Sequence, residues 1–119
     1  MNQPDRYERF VLADGVKKLE FKQDTKLEHA GTFTIMHEDH TLGNMVRMQL
    51  HLDRQIVFAG YRIPHPLTAK MVIKVQTNGG KSPEAALIHA LDDLTTEVTT
   101  IQKKLESEMA RIKSSQAPY

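Results

Sequence analysis

The densest run of chemically capable side chains is His37-Glu38-Asp39-His40, two imidazoles flanking two carboxylates. Such a run could hold a metal ion or act as an acid–base cluster, and with His37 and His40 as ligands it would suit a small metal-dependent hydrolase. Zinc bound through histidine needs about three protein ligands at suitable positions. No second cluster with ligand spacing is present to supply the rest. His29, His51, His65 and His89 are scattered, and none stands in a catalytic spacing with Ser or Asp. Gly80-Lys81-Ser82 has the last three residues of a phosphate-binding loop, but that motif needs a glycine five residues before Gly80, where this chain has Val75. No acidic cluster suits catalytic magnesium. With no cysteine, thiol catalysis, thiolate metal sites and disulfides are all excluded. Catalytic, cofactor and metal sites are therefore all read as none.

The elements that carry these residues explain them in simpler terms. Lys18 to Lys22 alternates, with Leu19 and Phe21 on one face, as does Thr32 to His37, with Phe33 and Ile35 together. From Thr41 to Asp53 the period changes to that of a helix, and Leu42, Met45, Val46, Gln49 and Leu50 form its stripe. Met48 and Leu52 lie off that stripe, so the helix is apolar on more than one side. Asp39 or Thr41 is placed to cap it, acids being favoured at its positive end. Ile56 to Ile63 is rich in β-branched and aromatic residues. Pro64-His65-Pro66 makes a rigid connection, and Ala69 to Thr77 sets Met71, Ile73 and Val75 against Lys70, Lys74 and Gln76. After the Asn78-Gly79-Gly80 turn, Ser82, Pro83 and Glu84 open a second helix. Gly80-Lys81-Ser82 is thus a glycine turn feeding a helix start.

The resulting order, β-β-α-β-β-α, predicts an α+β domain. It has a small antiparallel-type sheet with two helices on one face, the last of them long and protruding. The 119 residues fit a single domain, 1–119, with an irregular segment over 1–16 and a frayed tail over 114–119. A formal charge of +1 gives no basic field for nucleic acid. Lys103, Lys104, Arg111 and Lys113 hint at a basic edge, but Glu106 and Glu108 offset it. No apolar run reaches the roughly eighteen residues of a membrane span, and Met1 to Arg9 is too polar for a secretory signal. The chain reads as soluble and intracellular.

The last helix carries the strongest functional signal. From Pro83 to about Lys113, Leu87, Leu91, Leu94, Val98, Ile101, Leu105, Met109 and Ile112 recur at steps of four and three, close to a heptad seam. A helix of that length spans roughly 45 Å, whereas the strands span on the order of 17–30 Å. The stripe therefore continues past anything its own sheet can cover, and a continuous apolar stripe of that kind marks a protein interface.

Three stretches carry a family resemblance covering the chain from about Tyr7 to the end of the last helix. They are Glu38-Asp39-His40-Thr41-Leu42-Gly43-Asn44, Phe58-Ala59-Gly60-Tyr61-Arg62-Ile63-Pro64-His65-Pro66-Leu67, and Ser82-Pro83. Together they resemble the alpha-like subunits of multisubunit RNA polymerases, the family of archaeal subunit L and the bacterial alpha N-terminal domain. The short, non-acidic N-terminus and Phe10-Val11-Leu12 look more like the polymerase II type than the paralogous type shared by polymerases I and III. The resemblance implies a nuclear, non-catalytic subunit with no cofactor and no direct contact with nucleic acid. It also implies that both helices pack against the same pair in a larger alpha-like subunit, the third polymerase subunit. That pair would form the platform on which the large catalytic subunits assemble.

The interface implied comprises Leu42, Gly43, Met45, Val46 and Gln49 on the first helix, and Leu91, Leu94, Val98, Ile101, Leu105 and Met109 on the second. Leu42, Met45, Val46 and Gln49 also suit an ordinary core, and with two apolar sides one would face the sheet and the other a partner. A glycine inside a helix costs about 1 kcal/mol relative to alanine, so Gly43 is expected to permit close approach of another helix. Arg47 matches the first of two arginines that follow the motif in bacterial members, where a large subunit is contacted. Met48 replaces the second, and a solvated Arg47 is an equal reading. A homodimeric scaffold using the same seam is the competing non-enzymatic account.

Overall fold

Phe21, Phe33, Ile73 and Tyr61 stand side by side across four antiparallel strands and define the face on which the rest of the molecule is built. The computed structural model describes residues 5–116. Its strands are β1 (Leu19–Gln23), β2 (Ala30–Met36), β3 (Ile56–Arg62) and β4 (Lys70–Thr77), in the spatial order β1-β2-β4-β3. Two helices, α1 (His40–His51) and α2 (Pro83–Ser115), complete the expected order. A short 3-10 turn, Arg6–Arg9, interrupts the otherwise irregular N-terminal segment. The helix α2 runs through Ser115 rather than ending near Lys113, so Ser114 and Ser115 are helical and not frayed; residues 117–119 of the expected tail lie outside the described residues. Among the described residues no helix is long and apolar enough to cross a membrane.

The alternation in β4 becomes a strict alternation of burial. Met71, Ile73, Val75 and Thr77 are buried, while the residues between them are half-exposed. Val46 and Leu50 from α1, and Ala86, Leu87 and Ala90 from α2, close over that face to make the core. The Phe21 and Phe33 rings extend it to the β1 edge, with centroids 4.8 Å apart. Both helices begin as their residues require. The Asp39 carboxylate accepts from the Thr41 amide at 2.9 Å, and the Ser82 hydroxyl accepts from the Ala85 amide at 3.1 Å.

The α2 helix makes contact with the core only through its first three turns, from Pro83 to Leu94. From Thr95 onward every described residue is exposed. At about 1.5 Å per residue that leaves roughly 30 Å of helix projecting from the domain. The radius of gyration is accordingly 18.8 Å, against about 13.5 Å for a compact chain of this length.

A candidate subunit-docking face

On α2 the buried residues Ala86, Leu87 and Ala90, the half-buried Leu94, and the exposed Val98, Ile101, Leu105, Met109 and Ile112 all occupy one face. The apolar surface is thus one stripe with two environments, covered by the domain's own sheet at one end and open at the other. Ile101 and Leu105 are each 60 % exposed. Leu91 lies at the edge between the two regimes, on the boundary of exposure.

The first helix divides its predicted set. Met45 is exposed, Leu42 and Gln49 are half-buried, and Leu42 packs on the rim of the core. Val46 is fully buried beneath the sheet and is unavailable to a partner. Gly43 is also buried, and the neighbour it admits is not a second helix from outside. A Cβ at this position would lie 2.5 Å from the Tyr61 ring and 2.6 Å from the Met71 sulfur. The missing side chain lets α1 settle onto β3 and β4 of its own fold. Both residues are therefore corrected from interface to core.

Two further large apolar residues lie exposed beside Met45. Met48 is 56 % and Leu52 75 % exposed, and with Met45 they follow helical spacing on the side of α1 turned away from the sheet. Their position off the main stripe was the available signal. On α2, Ile88 is also exposed, at 61 %. Arg47 donates to the Asn44 side-chain oxygen at 2.7 Å, one turn back on α1.

The polar run at the start of α1 is distributed among separate structural tasks. His40 Nδ1 lies 2.8 Å from the Tyr61 hydroxyl, with the rings edge-on. Glu38 pairs with Lys18 at 2.9 Å, and Asp39 caps the helix. His37 closes β2 in the left-handed region (φ 57°) and donates its backbone N–H to the Ala69 carbonyl. Its Nδ1 is buried without a hydrogen-bond partner. Among the described residues no three His, Cys, Asp or Glu side chains are placed to share a metal ion.

The Gly80-Lys81-Ser82 turn is likewise structural. Lys81 bonds Asp53 at the end of α1, and its carbonyl accepts from the Thr77 hydroxyl at 2.6 Å. The Lys81 ammonium, followed by the Gln55 amide, holds the Asp53 carboxyl below its ordinary pKa. At Asp24 the amides of Leu27 and Lys26 have the same effect.

Known proteins are similar to this chain in sequence and in architecture. The profile of the RNA polymerase Rpb3/Rpb11 dimerisation domain matches residues 30–104, which take in β2 through β4, α1 and most of α2. The DNA-directed RNA polymerase II subunit rpb11 of Dictyostelium discoideum is 44% identical over 111 residues, covering 93% of this chain and 92% of that one. The probable DNA-directed RNA polymerase II subunit RPB11 of Caenorhabditis elegans is 41% identical over 115 residues, covering 97% and 93%. Among solved structures, DNA-directed RNA polymerase subunit L from Thermoplasma acidophilum superposes with a TM-score of 0.68 at 22% identity, over 86% of this chain and all of that one, and so shares the fold. By sequence and by fold, the chain belongs to the family of the RNA polymerase Rpb3/Rpb11 dimerisation domain.

Proposed function

We propose that this chain is a small, non-catalytic subunit of the nuclear DNA-dependent RNA polymerase II. It pairs through α1 and α2 with a larger alpha-like subunit, and the pair is the platform on which the large catalytic subunits assemble. The interface consists of Met45, Met48 and Leu52, with Leu42 and Gln49 at its rim, together with Leu91, Leu94, Val98, Ile101, Leu105 and Met109 on α2.

The observation that carries this reading is the open end of the α2 stripe. Each large apolar side chain left in water forgoes about 1.5–3 kcal/mol that burial would supply. Val98, Ile101, Leu105 and Met109 extend beyond any element among the described residues that could cover them. A second apolar helical surface is the complement such a stripe requires. The names of the relatives supply the polymerase context, and the family description supplies pairing as the role of the fold.

Co-expression with the larger alpha-like subunit tests the proposal. The two chains are expected to co-purify as a one-to-one complex that binds the large subunits, and Ile101→Asp is expected to remove the chain from it. Failure of the unaltered chain to bind that subunit would reject the proposal. Co-purification from cells with polymerase I and III subunits alone would assign it to the other branch of the family.

A further inference from the structure

We propose that the outer face of the sheet, turned away from both helices, binds single-stranded RNA. This surface is separate from the helical face assigned above, and the inference does not rest on that assignment. The helices pack over Met71, Ile73 and Val75. On the opposite side, pairing sets Lys22, Thr32, Lys74 and Gly60 in one row across β1-β2-β4-β3, and Glu20, Thr34, Val72 and Arg62 in the next. The four strands contain five charged residues, Glu20, Lys22, Arg62, Lys70 and Lys74, and all five lie on this outer side. Four of them are cations. The formal charge of +1 conceals this separation, because α2 from Ser82 to Gln102 carries Glu84, Asp92, Asp93 and Glu97 and neither lysine nor arginine. Lys74 pairs with Asp24 at 3.6 Å. Among the described residues Lys22, Arg62 and Lys70 have no ion-pair partner.

An aromatic ring is set among these cations by a break in β3. Its register shifts between Ile56 and Phe58. Ile56 packs against the core, and an unbroken strand would place Phe58 on the same side. The bulge instead turns Phe58 outward, opposite Gln76, where it is 48 % exposed. A Cβ at Gly60 would lie 3.1 Å from that ring, so the glycine leaves the ring room to lie along the sheet. From Phe58 to Arg62 the patch runs about 13 Å, and from β3 to β1 it is about 14 Å wide. A four-stranded sheet that exposes an aromatic among lysines and arginines is a surface on which unpaired bases stack while their phosphates meet the cations. The half-exposed Thr32, Thr34 and Gln76 add neutral donors and acceptors of the kind a ribose 2′-hydroxyl engages. An acidic polypeptide would satisfy the cations and leave the Phe58 ring unused. A duplex keeps its bases stacked inside, out of reach of a flat sheet.

Fluorescence anisotropy of a labelled decauridylate with the full chain at low salt tests the inference. Saturable binding that weakens as salt is added is expected. Phe58→Ala should weaken it about tenfold, and Phe58→Tyr, which keeps a stacking ring, should bind as the wild type does. Lys22→Gln and Arg62→Gln should each weaken binding and lower the salt slope by about 0.7. All three positions are exposed, and circular dichroism checks that the fold is retained. Lys103→Gln/Lys104→Gln, in the projecting part of α2, should change nothing. Absence of binding at low salt overturns the inference, as does binding that is indifferent to Phe58→Ala or lost in the α2 double variant. Equal affinity for the matching oligodeoxyuridylate overturns the assignment to RNA. Displacement by poly-glutamate at equal charge concentration overturns it in favour of an acidic polypeptide. Ile101→Asp, aimed at the helical face, should bind the RNA normally. A wild-type chain that pairs with the larger subunit but ignores RNA therefore rejects this inference alone, and one that binds RNA without pairing rejects only the function proposed above.

Discussion

Lys81, in the turn before α2, reaches the carboxylate of Asp53 just beyond the end of α1, and this bond ties the two helices together at the point where both leave the sheet. Both side chains are about four-fifths buried, so the pair is screened less than a surface ion pair. Asp53 also accepts from the Gln55 amide at 2.9 Å. Replacing Lys81 with Met should cost about 1–2 kcal/mol in a urea titration, toward the lower range for a hydrogen bond to a charged group.

The same contact has a pH signature. The folded-state pKa of Asp53 is depressed, so its contribution is complete above the unfolded carboxylate value and disappears as pH falls through the lower folded value. Wild-type stability should therefore fall below about pH 4 more steeply than that of Asp53→Asn. Thermal melts of the two proteins at matched pH values measure the difference, and parallel curves would show that the pair contributes nothing.

Gly43→Ala sets two effects against each other. Alanine gains about 1 kcal/mol of helix propensity over glycine. Its Cβ, however, would lie well inside contact distance of the Tyr61 ring and the Met71 sulfur. The Tyr61 ring cannot yield freely because its hydroxyl is bonded to His40, and Met71 is fully buried. Overpacking of this kind costs about 1–3 kcal/mol. The net expectation is a loss of about 1–2 kcal/mol in denaturant titration, and a stabilised variant would show that α1 has room to rise from the sheet.

Gly43 also marks where periodicity stops being informative. Spacing identified the stripe on α1, and Met71, Ile73 and Val75 as one face of a strand. It could not say which neighbour each apolar side would meet, because the β1-β2-β4-β3 order brings together strands distant in the chain. Periodicity alone therefore sets Val46 and Gly43 at the partner face, whereas Gly43 meets Tyr61 of β3 and Met71 of β4 and Val46 is fully buried in the core. Met48 and Leu52 were legible as off-stripe residues, and only the sheet's position shows that their side is the open one. The projection of α2 past the sheet is legible in the sequence, because its excess length follows from residue count alone.

The overhang has its own weakness where it leaves the domain. Thr95, Thr96, Val98, Thr99, Thr100 and Ile101 are β-branched and lose side-chain freedom in a helix. The hydroxyls of Thr95 and Thr100 bond back to the carbonyls of Leu91 and Thr96, at 2.8 and 2.9 Å, an arrangement that weakens and bends helices. Helical stability in proteins comes mostly from tertiary packing, which this segment lacks within the chain. Hydrogen exchange on the isolated chain should show rapid exchange from Thr95 onward and slow exchange from Leu87 to Leu91. Binding of the larger subunit should slow the distal amides by orders of magnitude. Thr99→Ala/Thr100→Ala should raise helix content in the free chain, and unchanged far-ultraviolet circular dichroism would remove this segment as the weak point.

Aspartate substitutions along the stripe should separate folding from pairing. Leu94 packs partly against the core, so Leu94→Asp buries a carboxylate within the chain itself and should lower the stability of the free protein by about 2–4 kcal/mol. Ile101 and Leu105 touch no core residue, and their aspartate variants should change free-chain stability by no more than about 0.5 kcal/mol. In complex with the larger subunit the order reverses, because an uncompensated charge in the seam costs several kcal/mol of affinity, of order 3–5. Calorimetric melts of the free variants, paired with titrations against that subunit, give both quantities from the same preparations. If Ile101→Asp and Leu105→Asp bind normally while only Leu94→Asp is impaired, the open part of α2 is not the docking face, and the larger subunit must engage the Met45, Met48 and Leu52 surface of α1 alone.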